Sequence, residues 1–434
     1  MGESTKVAGP VKVVVIGAGN RGSIYAGYAK LSPEKMQVVG VVDRNELKRA
    51  RMMRQYDIPP EHTFSSVEEF AEFPKYADAV VISTLDLTHK EIAVEMAKKK
   101  YHILLEKPMA VSLEDCKDIS KAVEENGVIL AVCHVMRYTP NYSEVMKVIN
   151  SGKLGEVISV QHLEAVGNTH FSHSFVRGNW GVEKNSSFSL MTKSIHDVDL
   201  INMFMGGAKC TKVSSFGHLT HFKKAKKPKE AGDAMRCMDC EYEPKCAYSA
   251  KKIYLEPAKQ GSKSWPLDAL VHDINVETIT KALEEGPYGR CVYECDNDVC
   301  DNQVVIFDFE GEKTASFSMI AFTEDLCIRK TKIYGSRGEL ISDGENLITV
   351  FDFETREKTV IHPFDLEEYK AFSDMFGHEG GDYGIISNFI DSIIHNNPKL
   401  NRSGAHESLL SHVYTFAAEM SRLENRTIFP QDLL

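Results

Sequence analysis

The sequence predicts an α/β protein, in which an N-terminal doubly wound parallel sheet precedes an α+β domain with a large open, mostly antiparallel sheet. Residues 11 to about 135 alternate apolar strand patterns with helical patterns, which is typical of a parallel sheet covered by helices. Further along, β-rich runs follow one another mostly without intervening helices, which indicates antiparallel pairing. We therefore divide the 434 residues into domains 1–135 and 136–434, with an insertion at about 223–264.

The first apolar strand leads directly into a glycine-rich turn. Gly17, Gly19 and Gly22 have the spacing G-x-G-x-x-G, and a helical pattern follows. In a Rossmann domain, the first glycine permits a sharp turn, the second admits a pyrophosphate and the third lets the helix approach the strand. The helix N-terminus near Asn20 and Arg21 offers free N–H groups to phosphates. The pattern predicts a dinucleotide cofactor.

A carboxylate follows the second predicted strand at about the spacing that ribose recognition requires. This residue is Asp43, which can accept hydrogen bonds from ribose hydroxyls and repels a 2′-phosphate. It predicts NAD in preference to NADP. Arg44 beside it is the counter-argument, because a guanidinium there could clamp the 2′-phosphate.

The remaining elements follow from periodicity and from turn residues. Ser112 and Asp115 form a capping-box pattern that begins a helix, which Gly127 ends. The other predicted helices span 46–56, 91–100, 142–149, 383–395 and 406–423. The predicted strands of the second domain span 157–165, 213–219, 303–309, 314–322, 331–335 and 347–353.

Composition excludes several function classes. The net charge of −11 argues against non-specific binding to nucleic acid or to an anionic membrane. The chain has no apolar run of about 18 residues, so we expect no transmembrane helix. Its polar N-terminus lacks a signal-peptide core, and Lys6 stands where a myristoylation motif needs Ser or Thr. We expect a cytoplasmic protein with reduced cysteines.

Two residues are candidates for acid–base chemistry at a carbinol, which must lose its hydroxyl proton as a hydride leaves. Lys107 lies at the carboxyl end of a predicted parallel strand, where such sheets bind ligands, and Glu106 is expected to orient it. His196 begins an apolar-periodic helix, whose N-terminus favours the neutral imidazole that can act as a base. A hydrogen-bond donor and a base together are the groups this reaction needs.

These residues together resemble the Gfo/Idh/MocA oxidoreductases. The resemblance rests on GAGNRG, Asp43, Thr84 to His89, Glu106-Lys107-Pro108, Arg137-Tyr138-x-Pro140 and His196. It implies NAD(P)-dependent oxidation or reduction of a sugar, polyol or related hydroxyl, and dimers or tetramers formed through the open sheet. It also implies that the Lys-Pro bond is often cis. The cofactor-binding residues we expect are Gly17, Gly19, Asn20, Arg21, Gly22, Asp43, Arg44, Thr84, His89, Glu106 and Lys107.

The chain departs from this family at one position of the catalytic segment. Thr192 stands where the family often has an aspartate, and Lys193 beside it is a candidate replacement. Two alternatives to a plain dehydrogenase therefore remain open. One is redox-assisted glycoside cleavage, in which Lys193, with its pKa lowered by burial beside other cations, serves as a second base. The other is a non-catalytic sensor of NAD(H).

Four further residues are candidates for binding a carbohydrate. Tyr138 follows the last strand of the first domain, and Arg177 and Trp180 combine a cation with an aromatic ring in one short segment. His378 begins a glycine turn rich in ionisable groups. Each of them has an alternative interpretation as a loop or interface residue.

The cysteines offer one metal-like pattern, Cys237-x2-Cys240-x5-Cys246. A structural zinc site needs four ligands, and the sequence does not decide whether His218, His221 or Cys295 would supply the fourth. We favour free thiols and assign no metal.

Overall fold

The first part of the chain folds around a six-stranded parallel sheet in the computed structural model, which describes residues 9–375 and 377–434. The strands are β1 (Val11–Ile16), β2 (Met36–Val42), β3 (Thr63–Phe64), β4 (Ala79–Ile82), β5 (His102–Leu105) and β6 (Leu130–Val132). Their order, β3-β2-β1-β4-β5-β6, reverses direction at β1, so the sheet is doubly wound. The fold class predicted for this part is confirmed.

Helices cover both faces of this sheet. They are α1 (Asn20–Leu31), α2 (Glu46–Tyr56), α3 (Val67–Glu72), α4 (His89–Lys98) and α5 (Leu113–Asn126). The capping residues act as the sequence predicts, because the Ser112 side chain accepts a hydrogen bond from the Asp115 N–H. Gly127 ends α5 in the left-handed conformation, with φ of 64°.

The second part is an eight-stranded, mostly antiparallel sheet flanked by helices. Its elements are α6 (Pro140–Asn150), β7 (Val157–Ala165), α7 (Asn168–Phe171), α8 (Ser189–Thr192), α9 (Ile195–Phe204), β8 (Cys210–His218), α10 (Glu256–Lys259), α11 (Val276–Glu285), β9 (Asn302–Phe309), β10 (Lys313–Ile320), β11 (Ile328–Gly335), β12 (Gly338–Ser342), β13 (Ile348–Asp352), β14 (Lys358–Ile361), α12 (Gly381–Ile394) and α13 (Ala405–Glu424). The order is β14-β13-β12-β11-β7-β10-β9-β8, in which β7 and β10 are parallel neighbours. The predicted open sheet is confirmed, with β12 and β14 as additional strands.

A long connection between β8 and β9 contains the predicted insertion. It carries short helices around its own apolar cluster, which includes Tyr254, Leu267, Ile279 and Leu283. The division into domains 1–135 and 136–434 stays a prediction. Within the described ranges, no helix is both long and apolar enough to cross a bilayer.

The C-terminal helices return to the first sheet. Just before β2, Lys35 Nζ lies 3.0 Å from a carboxylate oxygen of Asp391 on α12. The N–H of Val132 on β6 donates to the carbonyl of Ser403, just before α13. Both helices therefore brace the sheet that carries the glycine-rich turn.

Candidate active site

The turn between β1 and α1 depends on glycine at two positions. Gly17 has φ of 93°, and a Cβ there would lie 2.5 Å from the carbonyl oxygen of Ser83. A Cβ on Gly22 would lie 2.1 Å from the Gly17 oxygen, so α1 can approach β1 only without a side chain. Gly19 faces open space, where a Cβ would meet no atom within 4 Å. The turn is therefore closed on the protein side and open towards a ligand.

The beginning of α1 fits a dinucleotide pyrophosphate. No side chain caps the helix at Gly19, so the N–H groups that begin at Asn20 remain available to an anion. Asp43 stands beside the same turn, where its carboxylate accepts from the N–H of Ala18 at 2.8 Å and from that of Asn45 at 2.8 Å. Arg44 is exposed next to it.

Arg21 and Glu106, both predicted to bind the cofactor, form a partly buried ion-pair cluster with Asp382. Arg21 Nε lies 2.6 Å from Glu106 Oε1, and Arg21 Nη2 lies 2.6 Å from Asp382 Oδ1 on α12. Tyr25 donates to Glu106 at 2.8 Å. Burial raises the pKa of Glu106, but Arg21 outweighs it and brings the pKa below its usual value. The cluster fixes the residue that precedes Lys107 to α12.

Hydrogen bonds from residues on the protein side of the loop after β4 fix its conformation. Thr84, a predicted cofactor ligand, accepts from the Thr88 hydroxyl at 2.8 Å. His89 is fully buried, and its ring nitrogens lie 2.8 Å from the Pro108 carbonyl and 3.3 Å from the Thr84 carbonyl. The structure gives His89 a positioning role between two loops, and its contact with the cofactor stays a prediction.

Lys107 lies at the carboxyl end of β5, before a cis peptide bond to Pro108. Its Nζ donates to the backbone carbonyl of Thr192 at 2.7 Å. Burial lowers the pKa of Lys107; Glu106 acts in the opposite direction, and the charge of Lys193 lowers it further. The amine thus points towards the segment between α8 and α9, where the backbone carbonyl of Thr192 holds it.

His196 occupies the first turn of α9 and is 4% exposed. Its Nδ1 has no hydrogen-bond partner among the described residues. Burial lowers the pKa of His196 well below its usual value, and the charges of Lys107 and Arg329 lower it further. The imidazole is therefore neutral, and a buried nitrogen remains free for a ligand.

Lys193 is not the weakly basic amine that the sequence analysis expected. Its Nζ lies 3.0 Å from Glu164 Oε1 and 3.1 Å from Cys327 Sγ. Burial lowers the pKa of Lys193, but Cys327 and Glu164 outweigh it and raise the pKa above its ordinary value. The direction of this pKa shift is opposite to the one that redox-assisted glycoside cleavage with Lys193 as the second base would require.

A buried charge network that the sequence did not reveal lies behind Lys193. Arg329 on β11 pairs with Glu164 on β7 at 3.1 Å and with Asp197 on α9 at 2.8 Å. His162 Nε2 lies 3.0 Å from the same carboxylate of Asp197. Glu164 and Arg329 are cross-strand partners in the sheet register. The eight-stranded sheet thereby fixes the residue that follows His196.

The turn before α12 adds two ionisable groups. The ring of His378 lies 6.1 Å from that of His196, between centroids, and His378 Nδ1 lies 3.1 Å from Asp382 Oδ1. Burial raises the pKa of Glu379 to about 7, against the opposite effect of Arg329. Glu379 was not among the predicted site residues, although it lies next to His378 in sequence.

We use the word cleft for the region around Lys107, Lys193 and His196. Of the remaining predicted carbohydrate-binding residues, only Trp180 contacts a residue that acts on this region. Its Nε1 donates to Asp86 at 3.2 Å, and Asp86 raises the pKa of Lys107. Tyr138 is fully buried, and its hydroxyl is bonded to Ser403 at 2.8 Å. Arg177 is 3% exposed and donates to the carbonyls of residues 248 and 290. These two contacts are structural, so the assignment of both residues to the substrate is corrected.

The ten cysteines are free thiols. Within residues 9–375 and 377–434, no group of three or more His, Cys, Asp or Glu side chains is arranged to hold a metal ion. Cys237, Cys240 and Cys246 line one small cavity together with Arg177, whose guanidinium lies 3.5 Å from the Cys237 sulfur.

Comparison with known proteins gives matches along most of the chain. A sequence model described as the Gfo/Idh/MocA oxidoreductase family, NAD-binding Rossmann fold, matches residues 11–134, and one for its C-terminal alpha/beta domain matches residues 146–412. The 2,7-anhydro-N-acetylneuraminate hydratase of Escherichia coli is 32% identical over 147 residues, which are 34% of this chain and 38% of that protein.

Two further proteins illustrate the range of similarity. The scyllo-inositol 2-dehydrogenase (NAD(+)) of Bacillus subtilis is 29% identical over 213 residues, or 48% of this chain and 58% of that protein. Both curated relatives described here are therefore matched over less than two thirds of their length. An oxidoreductase from Agrobacterium radiobacter, solved with NAD+, L-tartaric acid and magnesium, has a TM-score of 0.68 at 14% identity, with 98% of this chain and 99% of that chain covered.

Proposed function

Because the chain belongs to the Gfo/Idh/MocA oxidoreductase family, we propose that it oxidises or reduces a hydroxyl-bearing carbon of a sugar, polyol or related compound with a nicotinamide dinucleotide. The observation that supports this most directly is the position of Lys107, whose Nζ donates to the Thr192 carbonyl at 2.7 Å, a few residues before His196. Lys107 follows β5 and His196 lies on α9, and the charge of Lys107 contributes to the lowered pKa of His196. The names of the relatives point to the same substrate class.

The dinucleotide would bind along the carboxyl edge of the six-stranded sheet. Gly17, Gly19 and the free N–H groups of α1 would hold its pyrophosphate, and Asp43 its ribose. When bound, it supplies the acceptor or donor of the hydride. We infer a preference for NAD over NADP, because the Asp43 carboxylate would face a 2′-phosphate.

The protein residues then manage the hydroxyl proton. Lys107, held by the Thr192 carbonyl, donates a hydrogen bond to the reacting oxygen and stabilises its developing negative charge. His196 is neutral and has a free nitrogen, so it accepts the hydroxyl proton during oxidation and returns it during reduction. Lys193 stays protonated and binds a substrate hydroxyl or carboxylate.

A panel of polyols and sugars tests this function through absorbance of the reduced nicotinamide. On a substrate found in this way, Lys107→Met and His196→Asn lower kcat roughly a hundredfold or more, the scale of acid–base catalysis. Lys121→Met is the matched control, because that lysine is exposed on α5. Turnover at the parental rate in either site variant contradicts its role. Cofactor binding without turnover of any alcohol supports the sensor alternative.

We propose a homodimer or homotetramer formed through the outer face of the eight-stranded sheet. Exposed apolar side chains alternate along that face, including Phe216, Val304, Ile306 and Ile341. Light scattering measures the assembly, and Ile306→Glu should shift it to a smaller species. A parental monomer contradicts the proposal. The cytoplasmic location stays a prediction, which cell fractionation tests.

A further inference from the structure

A cysteine thiol lies in contact with two nitrogen-bearing side chains on the substrate side of the cleft. Cys327 Sγ is 2.8 Å from His170 Nδ1 on α7 and 3.1 Å from Lys193 Nζ after α8. Cys327 is partly exposed and immediately precedes β11. Its φ of 58° is uncommon for a residue with a side chain, so the surrounding chain holds it in this position.

The two neighbours have complementary protonation states. Lys193 is a fixed cation, because Cys327 and Glu164 outweigh burial and raise its pKa. Burial, followed by the charge of Lys193, lowers the pKa of His170 well below its usual value. His170 is therefore a neutral imidazole that can accept the S–H proton, and Trp265 packs against its ring at 5.2 Å between centroids. A nucleophile, a base in hydrogen-bond reach and a third group that orients the base are the parts of an activated thiol.

The arrangement is joined to the proposed catalytic pair. The charge of Lys193 lowers the pKa of Lys107, and the charges of Lys107 and His378 lower that of His170. A group attached to the Cys327 sulfur would lie beside Lys193, and the carbonyl of the preceding residue, Thr192, accepts a hydrogen bond from Lys107.

Other cysteines have a different environment. Burial raises the pKa of Cys116 and Cys210 to about 12, and that of Cys295 to about 11. Burial also raises the pKa of the partly exposed Cys246. Such thiols stay protonated and are poor nucleophiles near neutral pH.

We propose that Cys327 is a modification site: a reactive thiol that hydroperoxides oxidise to sulfenic acid and that soft electrophiles alkylate, blocking the substrate side of the cleft. In the oxidation, the sulfur attacks one peroxide oxygen and the O–O bond breaks. The sulfur is oxidised and the peroxide is reduced. The departing hydroxide, or the alkoxide when the oxidant is an organic hydroperoxide, combines with the proton that His170 accepted from the thiol, which gives water or an alcohol. This proposal concerns the thiol alone and does not require the proposed oxidoreductase activity.

The test is the rate of alkylation by iodoacetamide, followed for each cysteine by peptide mass spectrometry on the full-length protein. Cys327 should react roughly tenfold faster than the partly exposed Cys240 and Cys246, as expected of a thiol beside a cation and a base. Cys327→Ser should remove this fast event. Equal rates at Cys327 and Cys240 would overturn the proposal.

Two substitutions test whether Lys193 and His170 cause the reactivity of Cys327. Lys193→Met and His170→Asn should each slow the reaction of Cys327 several-fold, whereas Lys193→Arg, which keeps the charge, and the exposed control Lys121→Met should not. Circular dichroism confirms that each variant is folded, and Lys193→Arg supplies the comparison if the Met variant is not. A dimedone adduct at Cys327 after treatment with hydrogen peroxide supports the oxidation. An unchanged rate in both Lys193→Met and His170→Asn, or no adduct, contradicts the proposal.

Discussion

The turn between β1 and α1, which we call the nucleotide wall, is shaped by the backbone at Gly17 and Gly22. The group of Glu164, Lys193 and Arg329, which we call the substrate wall, is held together by buried charges. In the first wall, a missing Cβ permits two backbone segments to touch. In the second, each charge is compensated by another from a different element. The nucleotide wall should therefore be destabilised by added atoms, and the substrate wall by the removal of a charge. Four predictions test this difference.

The largest effect is expected at the centre of the charge network. Arg329→Met leaves Asp197 and Glu164 buried without their guanidinium partner, which should lower the free energy of unfolding by about 3–5 kcal/mol. Urea denaturation measures the loss. Arg329→Lys keeps the charge and should lose less. A Met variant as stable as the parent would show that the network does not hold this wall.

On the nucleotide wall, adding a single methyl group should be enough to destabilise the fold. Gly22→Ala places a Cβ 2.1 Å from the Gly17 oxygen, so α1 must move away from β1. We expect a loss of about 2 kcal/mol in unfolding free energy, together with weaker dinucleotide binding. Gly27→Ala in the same helix is the control, because its Cβ meets no atom within 4 Å. It should leave stability unchanged or raise it by up to about 1 kcal/mol.

Asp43 is the exception on the nucleotide wall, since it acts through charge. Asp43→Ala should lower the preference for NAD(H) over NADP(H) by roughly tenfold, or about 1.4 kcal/mol. Fluorescence titration of both cofactors gives the ratio. Arg44→Ala is the companion variant: if it weakens NADP(H) alone, that arginine recognises the 2′-phosphate. Tighter binding of NADP(H) by the parent would contradict the assignment of Asp43.

The smallest effect is expected at Glu379, on the substrate wall. Its folded-state pKa of about 7 exceeds the unfolded value, so the folded state keeps a proton that the unfolded state releases. This contribution to stability is present below the unfolded pKa and is lost as pH rises towards 7. Glu379→Gln should remove about 1 kcal/mol of this pH dependence after allowance for solvent screening. Urea denaturation across this range measures it, and an unchanged slope contradicts the assigned pKa.

The difference between the two walls also explains how much of the fold and of the site the sequence could predict. The glycine spacing, Asp43 and the strand-end position of Lys107 are local signals, and the parallel sheet follows from alternating patterns between residues 11 and 135. The second sheet was predicted from β-rich runs that follow one another mostly without intervening helices. Its strands β12 and β14 were missed because β12 has only two apolar residues, Leu340 and Ile341, and β14 is a mostly exposed edge strand, so neither shows a clear alternation.

The charge network carries no local signal. Lys193 and Cys327 are 134 residues apart, and Arg329 meets Asp197 across 132 residues. Sequence analysis placed Lys193 beside other cations and expected a lowered pKa. The structure adds Glu164 from β7, which was predicted only as part of a strand. Tyr138 and Arg177 were misassigned for the converse reason, because their burial is a property of the folded chain.

The contacts that Arg21 on α1 and Lys35 before β2 make with α12 also bear on how the protein is synthesised. Arg21 reaches Asp382 across 361 residues, and Lys35 reaches Asp391 across 356. A ribosome adds about 5–20 residues per second, so α1 waits on the order of tens of seconds before α12 exists. During that interval, the nascent first sheet leaves the surface that α12 will cover open to chaperones. Assembly of the nucleotide wall is therefore completed only after α12 (Gly381–Ile394) has been translated.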